Sequence, residues 1–337
     1  TEHKSNQTEI TTLDTTSHNF TWQTFEFGQH SSSVLYDVAI IDENNIWAVG
    51  EIFTTDSYTY DSLGNWIDPY NAIHWNGSVW ELVRIYYNYN GSKHWSPIRT
   101  ILAFSDSDIW FGAGIHWNGM AFQTKPMDIT FPYQINKMWG ISSSDFYIVG
   151  NSGSIAHWNG SSWKKIESGT NLNIYDIWGD YNKIHQSYEI IVVAAKHMTS
   201  LERKLLILKN NSTNELSTTN ISQGSLHGIW FKNEKRYYVV GNGIYTKGKI
   251  SSLENWKRID NGLTQNYIYG ISGTDYNNIF LCGSFGESLH YNGVSWQSYR
   301  DTPGFFKNEF FNTAIKGNTV VVVGYDGNKA FIAKGDN

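Results

Sequence analysis

One cysteine, Cys282, is all the chain contains, so no internal disulfide can brace it. It lies in the apolar run IFLCG with no histidine or helix start beside it, and reads as a small buried hydrophobe rather than a reactive thiol. Charge is thin as well. Charged residues make up 17% of the chain, the formal net charge is −6, and basic residues cluster no further than pairs such as Lys164-Lys165 and Lys257-Arg258. Nothing here attracts a phosphate backbone, which excludes nucleic acid as a partner. No apolar run approaches the roughly 18 residues that span a bilayer, so no transmembrane segment is expected. The start TEHKSNQTE lacks the apolar core of a signal peptide; if the protein is exported, this sequence begins after its signal. Proline and methionine are scarce, at 5 and 4 residues.

What is present is 15 tryptophans, 21 tyrosines and 30 glycines among many Asn, Ser and Thr, the palette of a β-rich surface protein. A chain of 337 residues can bury a large core, and closed all-β architectures of this size form one domain.

The chain repeats itself. The unit is an apolar strand, a Ser/Asp/Asn turn, a second strand ending in Val-Gly, a third ending in His-Trp, an Asn-Gly turn, and a fourth opened by Trp. Copies run over 34–85, 98–127, 133–168, 171–216, 225–260 and 265–300, the most regular reading QINKMWGISSSDFYIVGNSGSIAHWNGSSWKKIES. A seventh, FFNTAIKGNTVVVVGYDGNKAFIAK, has three strands and no fourth. The missing strand stands at the other end, in NFTWQTFEFG, where Trp22 matches Trp80, Trp163, Trp256 and Trp296 of their copies. Four strands in roughly 40 residues are the signature of a propeller blade. The expected fold is therefore an all-β, seven-bladed propeller of four-stranded antiparallel blades over 18–337, its last blade closed by the N-terminal strand.

Local chemistry supports each part. Asn-Gly between two strands predicts a two-residue type I′ turn with positive φ at both positions. Gly50, Gly150, Gly241, Gly283 and Gly324 end second strands, where the backbone must turn or approach closely. The tryptophans are plates suited to packing blade on blade. His74, His116, His157 and His290 sit on third strands, away from the axis, and cannot converge on one metal; each is expected to hydrogen-bond within its own hairpin.

The combination of D-I/F-W/Y-x-V-G, HWNGSSW and a split last blade resembles secreted bacterial seven-bladed β-propellers, and more loosely the Asp-box and photosystem-assembly-factor propellers. The segment DTTSHNFTW with SSSVLYDVAIIDENNIWAVGE is similar to a group of bacterial extracellular proteins sometimes labelled glucosyltransferases. The resemblance covers about 17–337 and implies an extracellular or cell-surface place in a longer, multidomain chain. Residues 1–17 then read either as the exit linker of an upstream fibronectin-III-like domain or as a polar tail.

Chemistry is hard to find. G-x-S-x-G, H-E-x-x-H, C-x-x-C and P-loop patterns are missing, as is a D-x-D-x-D-G calcium loop, so no cofactor or metal is implied. The arginines, Arg84, Arg99, Arg203, Arg236, Arg258 and Arg300, fall at scattered blade positions and make no sialidase-like triad. On the innermost strands Asp37, Lys137 and Asp176 hold equivalent positions with Thr100 between them, and Arg99 could face the axis; these four charged residues are read as channel lining.

Loops carry function on such scaffolds. Two long insertions share one face: EIFTTDSYTYDSLGNWIDPY at 51–70 and YYNYNGSKHW at 86–95. They offer Tyr58, Tyr60, Trp66, Tyr70, Tyr87, Tyr89, His94 and Trp95, which can stack on sugars or on a partner's apolar side chains. Phe305 and Phe306 add to the same rim. Asn-Gly-Ser at Asn76, Asn90 and Asn159 fits a glycosylation sequon, though hairpin chemistry accounts for two of them. The expected function is non-catalytic recognition of a glycan or a partner protein through these loops. The alternative is a glycan-active enzyme using carboxylates near Asp37 and Asp176.

Overall fold

Each apolar run of the repeat becomes a strand because β-branched and aromatic side chains fit a pleated, half-buried surface, and each Asn/Gly/Ser cluster reverses it. The computed structural model describes residues 13–337 apart from 30–31, 126, 128, 130, 132–133, 197–200, 210 and 222–223. Seven four-stranded antiparallel sheets result. Blade 1 runs through Val34–Asp42, Asn45–Ile52, Tyr70–Trp75 and Trp80–Val83. Blades 2 to 6 open with innermost strands Ile101–Ser105, Ile135–Ser142, Asn173–Asn182, Leu226–Lys232 and Ile268–Asp275. Blade 7 has Glu309–Lys316, Thr319–Asp326 and Lys329–Asp336, and its fourth strand is Thr21–Phe27, paired antiparallel to the C-terminal strand with Trp22 opposite Gly335. Each innermost strand packs against the next around the ring, and blade 7 packs on blade 1.

Blade contacts are made by planar side chains over small residues. A Cβ on Gly179 would lie 2.4 Å from the Trp139 ring of the preceding blade. The indole of Trp178 donates to Phe231 O (2.9 Å), and that of Trp230 to Gly273 O (3.1 Å), each crossing to the next blade. The outer tryptophans do more within their own hairpins: Trp80 lies 5.4 Å from Trp75, and Trp163 5.4 Å from Trp158.

The Asn-Gly turns differ from the two-residue type I′ expectation. Trp75 pairs with Trp80 and Trp158 with Trp163, so four residues form each loop, and only the glycine has positive φ (Gly77 +92°, Gly160 +88°). The asparagine acts through its side chain instead. Asn76 Oδ1 accepts from the N–H groups of Ser78 and Val79 (both 3.0 Å), and Asn159 Oδ1 from Ser161 and Ser162 (3.0 and 2.9 Å). An Asx turn satisfies the loop's donors at no cost in asparagine φ, which is why two extra residues are accommodated.

The repeated histidines are scaffolding. His116 Nε2 and His157 Nε2 lie 2.7 Å from Asp108 and Asp145, while His74 and His290 meet Asn45 and Asn278 at 3.0 and 2.9 Å; in every case the partner opens the second strand of the same blade. Three of the rings also stack on an aromatic of that strand, as His157 does on Tyr147 at 4.2 Å, and His116 lies tilted against Trp110 at 4.8 Å. Cys282 is fully buried, with burial pushing its thiol up.

Residues 1–12, most of the segment read as a linker or a polar tail, lie outside the described residues. Those that follow dock on blade 6: Thr16 Oγ1 donates to Asn277 O (2.8 Å), and His18 Nδ1 lies 2.9 Å from His290 Nδ1.

Candidate functional site

The axial face is built by a bulge repeated around the ring. In blade 1 Leu35 pairs with Gly50 and Asp37 with Val49, which leaves Tyr36 as an extra, unpaired residue. The same slip frees Asn136, Tyr175, His227, Tyr269 and Phe311 in blades 3 to 7. In five of these six blades a glycine of the second strand makes room for it, and in blade 4 Ala194 takes that place. A Cβ on Gly50 would stand 2.0 Å from Val34 O, and one on Gly283 2.0 Å from Tyr267 O, contacts no side chain tolerates. In those five blades glycine and bulge are one device, and its product is a re-aimed side chain.

Those side chains converge. With Arg99 of blade 2 they line a pocket of about 260 Å³ at the mouth of the axial channel, one residue from each blade. Ring contacts run nearly around it: Tyr36 to Phe311 at 6.1 Å, Phe311 to Tyr269 at 5.4 Å, Tyr269 to His227 at 5.2 Å, and His227 stacked on Tyr175 at 4.6 Å. The Arg99 guanidinium sits 4.2 Å from the centre of the Tyr36 ring, a cation–π contact. All seven residues are half-buried, open enough to meet a ligand.

Below them the acids serve mainly as staples between innermost strands. Asp37 is buried; its Oδ2 accepts from Thr100 Oγ1 (3.0 Å) and Ile101 N (3.1 Å) of blade 2. Its Oδ1 accepts from Lys137 Nζ of blade 3 (2.7 Å), Asn312 Nδ2 of blade 7 (2.8 Å) and Val38 N (2.9 Å). Asp176 repeats the pattern, accepting from Ile177 N and from Ile229 N of the next blade, both at 2.9 Å. Burial pushes its carboxyl up to about 7, against the pull of Lys137 and the two N–H groups. Of the four residues read as channel lining, Arg99, Lys137 and Asp176 border the axial pocket, while Asp37 lies beneath it.

His227 donates from Nδ1 to Tyr269 O (2.8 Å), which leaves Nε2 as an acceptor facing its neighbours, and burial holds the ring's pKa down to about 4. His290 is likewise lowered to about 4 by burial, with His18 beside it. A folded-state pKa below the unfolded value means that each imidazole's contribution to stability is full above about pH 6.5 and is lost as pH falls from there toward 4. Asp176 has the opposite sign, its penalty being relieved as pH drops below about 7. A histidine-resolved NMR titration should therefore find His227 and His290 neutral at pH 5.5; midpoints near 6.5 for both would contradict the burial argument.

A second cavity, about 720 Å³, crosses blade 2 on the same face. Its walls include Tyr87, Tyr89, Ile98, Phe111, Ile115 and Met127, and it shares Arg99 and Gln134 with the axial pocket, so the two form one depression. The hairpin Tyr87–Tyr89 with Ser92–His94 makes its rim, anchored by Asn88 N donating to Thr124 Oγ1 (2.8 Å) and braced by His94 on Tyr87 at 5.7 Å. Trp95 is half-buried behind it, its indole N–H without a partner among the described residues.

The first insertion behaves differently. Tyr58 and Tyr60 lie 5.7 and 5.2 Å from Trp66, forming a cluster that packs on itself and on Phe53, yet stays exposed. Tyr70 lies under the Arg84 guanidinium at 3.6 Å, and Arg84 in turn pairs with Asp56 at 2.7 Å, tying the insertion to blade 1. Phe305 is fully buried and only Phe306 reaches the surface. The aromatic ring of Tyr36, Tyr175, His227, Tyr269 and Phe311 escaped sequence reasoning. The signal was present one residue before the position that Asp37 holds in its copy, in YD, NK, YD, HG, YG and FN of the aligned copies. Among the described residues no three His, Cys, Asp or Glu side chains gather as a metal site.

The geometry defines a seven-bladed β-propeller with an aromatic axial mouth opening into an apolar groove. No protein-family model matches the chain. No curated protein matches it either. Solved propellers do resemble it in fold. YCF48 bound to D1 peptide aligns with a TM-score of 0.65 at 14% identity, over 97% of this chain and 100% of that one. YCF48 from Cyanidioschyzon merolae gives 0.61 at 13%, over 93% and 98%. A catalytically inactive variant of virginiamycin B lyase from Staphylococcus aureus, with quinupristin, gives 0.59 at 12%, over 95% and 100%. At these identities the likeness is one of fold, and that fold carries both binding and catalysis.

Proposed function

We propose that the protein is a non-catalytic recognition module that binds an extended polypeptide segment on its axial face. The observation that carries this reading is the joined depression, in which a largely apolar groove on blade 2 meets a planar-walled pocket on the axis at Arg99 and Gln134. An extended chain suits that shape, with its side chains entering the pocket and groove in turn. A solved propeller of similar fold is described as bound to a peptide, which supports the reading without extending to this chain's partner. The carboxylates favour binding over a glycosidase-like reaction, because Asp37 and Asp176 are held as acceptors by neighbouring blades. The resemblance of the repeats to those of secreted bacterial propellers is the ground for placing this activity at the cell exterior.

The exposed cluster of Tyr58, Tyr60 and Trp66 favours a glycan as a second ligand class. Panning a phage-displayed library of random dodecapeptides on the protein, with a glycan array in parallel, separates the two. The expected outcome is a set of peptides whose binding drops at least tenfold in a Tyr87→Ala, Tyr89→Ala variant that keeps its circular dichroism spectrum. Glycan binding with no peptide selected, lost in Trp66→Ala, would replace the polypeptide reading with the lectin one.

A further inference from the structure

Arg99 is one of three half-buried arginines in no ion pair among the described residues: Arg203 is held by backbone carbonyls, Arg300 lies by Phe306 (5.7 Å), and Arg99 stands where the groove meets the axial pocket. Arg84 pairs with Asp56 (2.7 Å) and Arg258 with Asp260 (2.6 Å), and Arg203 donates to Gly224 O (2.9 Å) and to Ile221 O. Arg99 is half-buried and in no ion pair among the described residues, its guanidinium lying on the Tyr36 ring. The acid whose field it feels is Glu51 of blade 1, which is not in ion-pair contact with it and whose carboxyl burial pushes up. A guanidinium withdrawn from water without a carboxylate is costly, and a fork of N–H donors held flat by an aromatic face is preorganised for an incoming one.

On the groove side its surroundings carry the same sign, while among the described residues the one acid bordering the axial pocket, Asp176, is held by N–H groups of Ile177 and Ile229. The described residues lining the blade 2 groove include two cations, Arg99 and Lys125, and no Asp or Glu, in a chain whose net charge is −6. Lys125 likewise makes no ion pair among the described residues. In the adjoining pocket the Lys137 ammonium faces Asp37 beneath it (2.7 Å). A cationic groove on an acidic protein attracts an acidic ligand and repels a basic one.

We propose that the segment bound on the axial face is acidic, with one of its carboxylates pairing with Arg99 at the point where the groove meets the axial pocket and its apolar side chains lying against Tyr87, Tyr89 and Met127. This rests on the polypeptide reading above and adds the chemical class of the segment.

The selected dodecapeptides supply the test. They should be enriched in Asp and Glu over the input library. By fluorescence anisotropy, a selected peptide should bind Arg99→Gln at least tenfold more weakly than wild type, and Arg236→Gln, on an exposed site of blade 5, unchanged. Replacing the peptide's acidic residues one at a time by their amides should reveal one position with a similar loss, and combining that peptide with Arg99→Gln should cost little more than either change alone. The peptide-side variants keep the test decisive if Arg99→Gln does not fold. Selected peptides that are neutral or basic, or acidic peptides indifferent to both changes, would overturn the acidic inference and leave polypeptide binding standing. A library that yields no binder would overturn both.

Discussion

Deleting residues 1–27 is expected to abolish the cooperative unfolding transition of the protein and leave a chain that aggregates. The strand Thr21–Phe27 supplies the whole outer edge of blade 7, pairing residue for residue with the C-terminal strand. Its side chains also lock both neighbours. Trp22 packs on Phe280 (5.8 Å), Tyr299 (5.3 Å) and Phe305 (5.1 Å) toward blade 6, while Phe25 reaches Trp75 (6.1 Å) and Trp80 (6.0 Å) of blade 1. Without it Lys329–Asp336 becomes a bare edge, a template for other strands, and three blades lose part of their shared core. Urea unfolding and size-exclusion chromatography of the truncated chain measure this, and a synthetic peptide of residues 13–29 added during refolding should restore the monomer. A truncated chain that unfolds at the wild-type urea midpoint would show that closure contributes nothing.

The second large effect is expected at Asp37. Its carboxylate joins blade 1 to blades 2, 3 and 7 through Ile101 N, Lys137 and Asn312, all from a buried position. Asp37→Ala leaves the Lys137 ammonium without its carboxylate and strands several donors, a loss on the order of 3–5 kcal/mol. Asp37→Asn retains an acceptor for Thr100 and Ile101 and should cost less. Urea denaturation at pH 7 ranks the two; an Asp37→Ala protein within about 1 kcal/mol of wild type would show that the staple adds little to the ring.

The fold could be read from the sequence because its determinants are local and repeated. Val-Gly, His-Trp and Asn-Gly each mark a fixed point in the blade, and Trp22 betrayed the split one. The turn type was misjudged for a reason that lies in the asparagine side chain, whose oxygen stands in for a backbone turn and removes the need for positive φ. The site was harder to read. Asp37 and Asp176 were read as channel lining from their equivalent positions on the innermost strands, but that equivalence does not say that the bulge at Tyr36 or Tyr175 brings the preceding residue to the mouth as well. Nor does composition separate an aromatic hairpin that walls a groove, as at Tyr87 and Tyr89, from one that folds on itself, as at Tyr58 and Trp66.

The bulge has a consequence for how such a molecule can change. Tyr36, Asn136, Tyr175, His227, Tyr269 and Phe311 stand outside the strand register, so the ladder beside them is the same whatever side chain they carry. Frame and socket are encoded by different letters of the repeat: the paired positions and the staples fix the ring, and one free letter in each of six blades writes what the ring can hold.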